Sequence, residues 1–142
     1  MLPTWVDLYF SVYVDYRERV VIVVRSALAF SSEPELLSAL SHVEKALASV
    51  DPSRNALLID SRAAPALSPA LEPALSAWSA RVFDPFRPCA VLVATFAGTT
   101  QAKRLKSRTI GSVLITTSAL EAGKHVGFEQ LASVIDNLAR LR

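Results

Sequence analysis

The residues with chemistry to offer gather at Asp60-Ser61-Arg62, directly behind the apolar run Ala56-Leu57-Leu58-Ile59. An unbroken apolar run suits a strand buried on both faces, as in a parallel sheet. The carboxyl ends of such strands are where ligands and partners meet an open α/β sheet. Ser61 is a candidate phosphorylation site, since phosphate near a helix start is electrostatically favoured. A serine bonded into a turn is the commoner arrangement. Asp60 and Arg62 either present charge-assisted hydrogen bonds to a partner or bond to one another as a local ion pair and loop cap. With Trp78 on the following helix, Asp60, Ser61 and Arg62 make the candidate partner-binding set.

A second stretch, Gly98-Thr99-Thr100-Gln101-Ala102-Lys103-Arg104, offers backbone N–H groups beside two cations. Gly98, Thr99, Gln101, Lys103 and Arg104 are therefore a candidate anion-binding set. The Gly-x-x-x-x-Gly-Lys-[Ser/Thr] spacing of a phosphate loop is missing, which argues against nucleotide hydrolysis. A solvated helix with a glycine turn is the commoner meaning. Lys103, Arg104, Lys106 and Arg108 form a short basic cluster that would suit an acidic partner, a lipid headgroup or nucleic acid, although such a run is more often a solvated face.

The remaining reactive groups are scattered. His42 and His125 are the only histidines, and neither has metal-ligand spacing to a second strong ligand. The expectation is no metal and no cofactor. His42 precedes Val43 on a helical stripe and is placed on the helix flank. Cys89 opens a buried strand and reads as a small core residue. Neither Cys89 nor Ser61 has an assignable general base, so a hydrolase is disfavoured.

These groups need a scaffold, and the composition allows one. The chain has 142 residues, 51% hydrophobic and 20% charged, enough for a single domain over 1–142 with one substantial core. The mean hydropathy is positive. The longest charge-free apolar stretch, Pro88 to Ala102, is still too short and interrupted to span a bilayer. No basic stretch precedes an apolar one at the start, so no signal peptide is expected. One cysteine excludes an internal disulfide and fits a cytoplasmic protein. The net charge of +2 is no signal for nucleic acid.

Val6, Leu8, Phe10, Val12 and Val14 alternate with Trp5, Asp7, Tyr9, Ser11 and Tyr13, which predicts one strand with a core face and an aromatic outer face. The stripe Trp5, Tyr9 and Tyr13 is either covered core or a surface for self-association, a homodimer included. Val20 to Val24 is a second strand, antiparallel to the first across Asp15–Arg19. Ser32 and Glu35 form a capping box for a helix with stripe Leu36, Leu40, Val43, Leu47 and Val50. Asp51-Pro52 stops it. After the strand at 55–60, the Ala- and Pro-rich loop 63–69 leads to a helix with stripe Leu71, Leu75, Trp78 and Val82. A strand over 90–96 follows, then a short helix from Gln101 to about Ser107 and a last strand over 113–115. A short helix over 116–122 ends at Gly123 as C-cap. A C-terminal helix buries Phe128, Leu131, Val134, Ile135, Leu138 and Leu141. The fold class is α/β: an N-terminal β-hairpin, then alternating strands and helices on a mostly parallel sheet of four to five strands, with the strand at 55–60 central.

This order, with an acid and a serine ending the third strand, resembles a STAS domain, the fold of anti-sigma-factor antagonists and of sulfate-transporter cytoplasmic tails. It is most similar to STAS-like bacterial proteins of uncharacterised function. Those carry an Asp-Arg-type motif after the third strand and Gly-x-x-Gln-x-x-Arg after the fourth, matched here by Asp60-Ser61-Arg62 and Gly98 to Arg104. Phosphorylated antagonists carry Asp-Ser-[Ser/Thr]-Gly, whose second hydroxyl accepts phosphate. Arg62 and Ala63 replace those last two positions, so the phosphorylation switch does not carry over. The resemblance implies a non-enzymatic regulatory or scaffolding domain that binds another protein. The alternative is a small-ligand or lipid binder, with the ligand between sheet and helices.

Overall fold

A computed structural model describes residues 1–105 and 113–140. Among the described residues, six strands form one sheet in sequence order. They are β1 (Trp5–Val6), β2 (Phe10–Asp15), β3 (Val20–Arg25), β4 (Ala56–Asp60), β5 (Cys89–Leu92) and β6 (Val113–Thr116). β1, β2 and β3 pair antiparallel, and β3 to β6 pair parallel. The helices are α1 (Glu33–Ala46), α2 (Glu72–Val82), α3 (Phe96–Leu105), α4 (Ala119–Val126) and α5 (Leu131–Arg140).

The continuous apolar runs are explained by a core on each side of the sheet. Val21, Val23, Leu57, Ile59 and Val91 pack with Leu36, Leu40 and Val43 of α1, Trp78 of α2 and Ala102 of α3. Their alternate neighbours Ile22, Val24, Leu58, Ala90 and Leu92 pack with Ala122 and Val126 of α4 and with Leu131, Ile135 and Leu138 of α5. Each strand residue thus has a helix layer to enter, and alternation with polar residues is unnecessary. β4 sits between β3 and β5, pairing Leu57 with Val21 and Cys89, so the predicted central strand is central.

The sheet has one strand more than expected because the first predicted strand is two. The Asp7 carboxylate accepts the N–H groups of Tyr9 and Phe10, both at 2.7 Å, and this Asx-type turn folds β1 back onto β2. Leu8 and Val6, expected in the core, are 73% and 52% exposed as a result. The aromatic stripe is divided by the same turn. Trp5 and Tyr9 pack against the α1–α3 core, while Tyr13 is buried in the α4–α5 core.

Helix boundaries were set by caps that periodicity does not reveal. Ser32 caps α1 by accepting from the Glu35 N–H at 3.3 Å. The Glu35 carboxylate reaches past the cap residue to the Ser31 N–H and hydroxyl, and also accepts from the Tyr9 hydroxyl. Leu47 and Val50 lie beyond α1 yet remain buried. α3 begins at Phe96, five residues before the expected start, so β5 ends at Leu92 and Phe96 is exposed. α4 starts after Ser118 and ends at Gly127, which adopts φ 75°, rather than at Gly123. Gly123 is a close-approach position. A Cβ there would lie 2.7 Å from the Phe128 carbonyl oxygen and 3.2 Å from Leu131 Cβ. Leu141 lies outside the described residues.

Candidate functional site

The carboxyl ends of the parallel strands carry two charged residues on opposite faces. Asp60, the last residue of β4, is 4% exposed. It follows Leu58 in the alternation and so points to the α4–α5 layer. Two residues on, Arg62 returns over it: Nε donates to Asp60 Oδ1 at 3.0 Å and Nη2 to Oδ2 at 2.9 Å, a bidentate pair. The Arg62 N–H donates to the same carboxylate at 3.1 Å, and Nη1 reaches Asp136 of α5 at 3.3 Å. These bonds from Asp60 foremost, with Asp136 adding to them, hold the Arg62 guanidinium above its ordinary range. Of the two arrangements the sequence left open, the ion pair and loop cap is the one formed. The Ser61 N–H donates to the Leu92 carbonyl and its carbonyl accepts from the Ala64 N–H.

Trp78 is buried, as its place on the stripe Leu71, Leu75, Trp78 and Val82 predicts, and so lies apart from the partner-binding set in which it was also placed. It is 6% exposed. Its indole Nε1 donates to Glu44 Oε1 at 3.1 Å and its ring meets Phe83 edge-on at 4.7 Å. Arg81 donates to both oxygens of Glu44, so the cluster joins α1 to α2. Arg81 holds the Glu44 carboxyl below its ordinary range, with the Trp78 bond adding to this.

Most residues of the second motif are bonded within the protein. Thr95 Oγ1 accepts the Gly98 N–H at 3.0 Å, and the Thr99 N–H donates to the Thr95 carbonyl. The Gln101 amide brackets Leu67, accepting its N–H at 3.1 Å and donating to its carbonyl at 2.8 Å. Gln101 and Arg104 both donate to Glu72 Oε1. The Arg104 bond first, and the Gln101 bond after it, hold the Glu72 carboxyl low. The Gly-x-x-Gln-x-x-Arg pattern therefore ties α3 to the loop before α2. Lys103 is exposed, and Lys106 and Arg108 of the basic cluster lie outside the described residues.

Beneath this stitching lies a half-open pocket of about 770 Å³, between the sheet and α1, α2 and α3. Leu36, Leu40, Ile59, Leu75, Phe83 and Val91 are among its apolar walls. The 61–69 loop and the first turns of α3 form its rim, with Ser61 and Arg62 at the strand end. Sequence reasoning missed one functional candidate here. Arg25 ends β3, continues the Val21–Val23 face into the α1–α3 layer and lines the cavity. The signal was present, because Arg25 closes a buried apolar run as Asp60 does.

The other reactive residues lie elsewhere. Cys89 is buried in the core, as expected. His42 is half exposed on the α1 flank, its ring 5.0 Å from that of Trp5 and its Nδ1 3.8 Å from Asp7 Oδ2. His125 is half-buried on α4. Among the described residues no three His, Cys, Asp or Glu are grouped to hold a metal, and no helix is long and apolar enough to cross a membrane.

No family model and no curated protein matches the chain. One solved structure does: an uncharacterised protein of the DUF3478 family with a SpoIIAA-like fold from Shewanella loihica PV-4. The superposition has a TM-score of 0.55 at 13% identity and covers 86% of this chain and 98% of that one. A hairpin-started, otherwise parallel sheet with helices on both faces, superposing on nearly all of that protein, gives this chain the SpoIIAA-like, or STAS-like, fold.

Proposed function

We propose that this chain is a non-enzymatic binding domain whose working part is the cavity under the 61–69 loop, and that it takes a small apolar ligand there. The observation that carries the reading is a space of about 770 Å³ with predominantly aliphatic and aromatic walls. That size lies within the roughly 300–1,000 Å³ of small-molecule sites, which combine apolar walls with a few placed polar groups. Its position at the carboxyl ends of β4 and β5 is where open α/β sheets receive ligands. The walls are supplied mainly by side chains on β-strands and helices, which keeps the space shaped before a ligand arrives.

An uncharged fluorescent probe, N-phenyl-1-naphthylamine, tests it. Its emission is expected to rise with the wild-type protein and to stay low with Ala102→Phe, since buried Ala102 lines the cavity from α3. A wild-type protein that leaves the probe dark, or a variant that binds it equally, contradicts the reading.

A partner protein on the same rim is the second reading. Ala63, Pro65 and Ala66 are exposed there, and Pro65 stiffens the loop and lowers the entropy lost on docking. Arg62 is anchored beside them and able to orient a partner. A regulatory domain of this kind would couple ligand occupancy to partner binding through the loop that both touch.

A further inference from the structure

We infer that residues 63–68 form a strap across the pocket mouth, that the Gln101 side chain latches it, and that release of this latch sets how fast a ligand enters and leaves. The inference rests on the pocket being a binding site and adds how access to it is controlled.

The strap is the least secured part of the pocket wall, although its two ends are fixed. Arg62 is paired with the Asp60 carboxylate, and Pro69 opens the short helical turn Pro69–Leu71 that leads into α2. Between them, among the described residues, the polar ties from strap to scaffold go to one side chain. Gln101 Oε1 accepts the Leu67 N–H at 3.1 Å, and its Nε2 donates to the Leu67 carbonyl at 2.8 Å. The Ala64 N–H bonds only back to the Ser61 carbonyl, and Pro65 has no N–H to tie down. Ala63, Pro65 and Ala66 are small and exposed, and Leu67 packs against the core. Other irregular wall segments are held more firmly. The Val93 N–H donates to the Thr116 carbonyl across the strand ends, and Phe30 stacks on Tyr9 at 4.4 Å.

Gln101 is oriented for this hold. Its Nε2 also donates to Glu72 Oε1 at 3.1 Å. A carboxylate oxygen only accepts, so Glu72 fixes which end of the amide is the donor. The amide then offers one donor and one acceptor to the backbone of a single residue, as a neighbouring strand would. Opening the strap costs two neutral hydrogen bonds and the contacts of one half-buried leucine. That is far less than global unfolding, so the open form is a minor but populated state. Pro65 and Pro69 favour extended backbone at Ala64 and Ser68, which keeps the strap stiff as it moves. Ala64, Pro65, Ala66 and Leu67 line the pocket together with Gln101, so displacing the strap widens the mouth directly.

Amide hydrogen exchange of the ligand-free protein, read by NMR, and stopped-flow binding of N-phenyl-1-naphthylamine test this together. In the wild type the Leu67 amide is expected to exchange at least about tenfold faster than those of Leu58 and Leu92 in the sheet, through local opening. Gln101→Met, checked for folding by circular dichroism, keeps bulk at the wall and removes both bonds to Leu67. Its association and dissociation rates for the probe are expected to rise together, each by about tenfold, the scale of two neutral hydrogen bonds. The dissociation constant then stays nearly unchanged, the signature of a mouth that opens more often. Probe rates equal to the wild type overturn the gate while leaving the pocket reading in place. A rise in the dissociation rate alone makes Gln101 a ligand contact and overturns the latch. A wild-type protein that leaves the probe dark overturns the pocket reading and the gate with it. A wild-type Leu67 amide as slow as Leu58 and Leu92 overturns the strap, and that comparison needs no variant.

Discussion

Two neighbouring strands end in opposite charges, and the structure uses them in opposite ways. Asp60 closes β4, Arg25 closes β3, and the two strands pair in parallel with Val24 beside Asp60. Asp60 turns toward α5 and is answered at once by Arg62, two residues away. Arg25 turns toward α1 and is wrapped by carbonyl oxygens and aromatic rings at the end of a cavity. A charge at a strand's carboxyl end is thus not a site by itself. The face it enters decides which groups hold it. The α4–α5 layer holds the lock, and the α1–α3 layer holds the space.

The largest effect is expected from charging the strand that both layers share. Leu57→Asp would place a carboxylate among α1, β3 and β5, where Leu57 is fully buried, at a cost of several kcal/mol, about 3 or more. Urea denaturation should show a protein largely unfolded or far less stable. A midpoint equal to the wild type would mean that β4 is not central and that the two-layer description fails.

Breaking the lock comes next. Asp60→Ala removes the bidentate acceptor and leaves Arg62 with Asp136. The expected loss is about 2 kcal/mol, less than the roughly 3–5 of a fully buried pair, because the Arg62 side chain keeps 29% exposure. Arg62→Ala should cost about as much by stranding Asp60. The double variant should cost less than the two losses added, a coupling that a double-mutant cycle reads directly. Additive losses would show that the pair does not act as a unit.

Gly123→Ala sharpens the account of the same layer. Its new Cβ would press on the Phe128 carbonyl at the turn into α5, and backbone cannot move aside as a side chain can. A loss of about 1–3 kcal/mol is expected. Gly127→Ala acts differently, through φ 75° with open space around it, and should cost about 1 kcal/mol. A neutral Gly123→Ala would mean that α4 and α5 do not approach as closely as described.

The smallest effect is at the cavity's outer stitching. Glu72 is held below its ordinary range by Arg104 and then Gln101. A depressed folded-state carboxyl contributes stability above its unfolded value, near 4.5, and loses that contribution as pH falls through the lower folded value. Glu72→Gln should therefore be slightly less stable than wild type at pH 7, by under about 1 kcal/mol. The two should converge below the carboxylate range. A gap that persists unchanged at low pH would show that the charge of Glu72 is not what ties α3 to α2.

The legibility of these regions in the sequence follows the range of the forces involved. β3, β4 and β5 were readable because burial on both faces requires unbroken apolar runs. The helical stripes of α1 and α5 were readable because each faces one layer. The break at Asp7 was not, because Leu8 continues the alternation and the turn depends on one carboxylate accepting two N–H groups. Gly123 looked like a cap because a glycine after a short apolar helix usually is one, and only the position of Phe128 shows otherwise. Trp78 was readable as part of a helical stripe, but its bond to Glu44, 34 residues away on another helix, was not. Asp60 and Arg62 were read as the site because they follow a buried apolar run at a strand's carboxyl end. The cavity draws its walls from β2, α1, β4, α2, β5 and α3, and no local pattern encodes a space between distant elements.

The two layers differ in kind: one is packed and locked, and the other holds the half-open pocket proposed to take a ligand. Methyl NMR of selectively labelled protein during a titration with N-phenyl-1-naphthylamine measures both layers at once. The account predicts shifts at Leu36, Leu40, Ile59 and Leu75, which line the cavity, with Leu58, Leu92, Leu131 and Ile135 of the opposite layer unmoved. Shifts concentrated on Leu58, Leu92, Leu131 and Ile135, or no shifts at any concentration below aggregation, would contradict it.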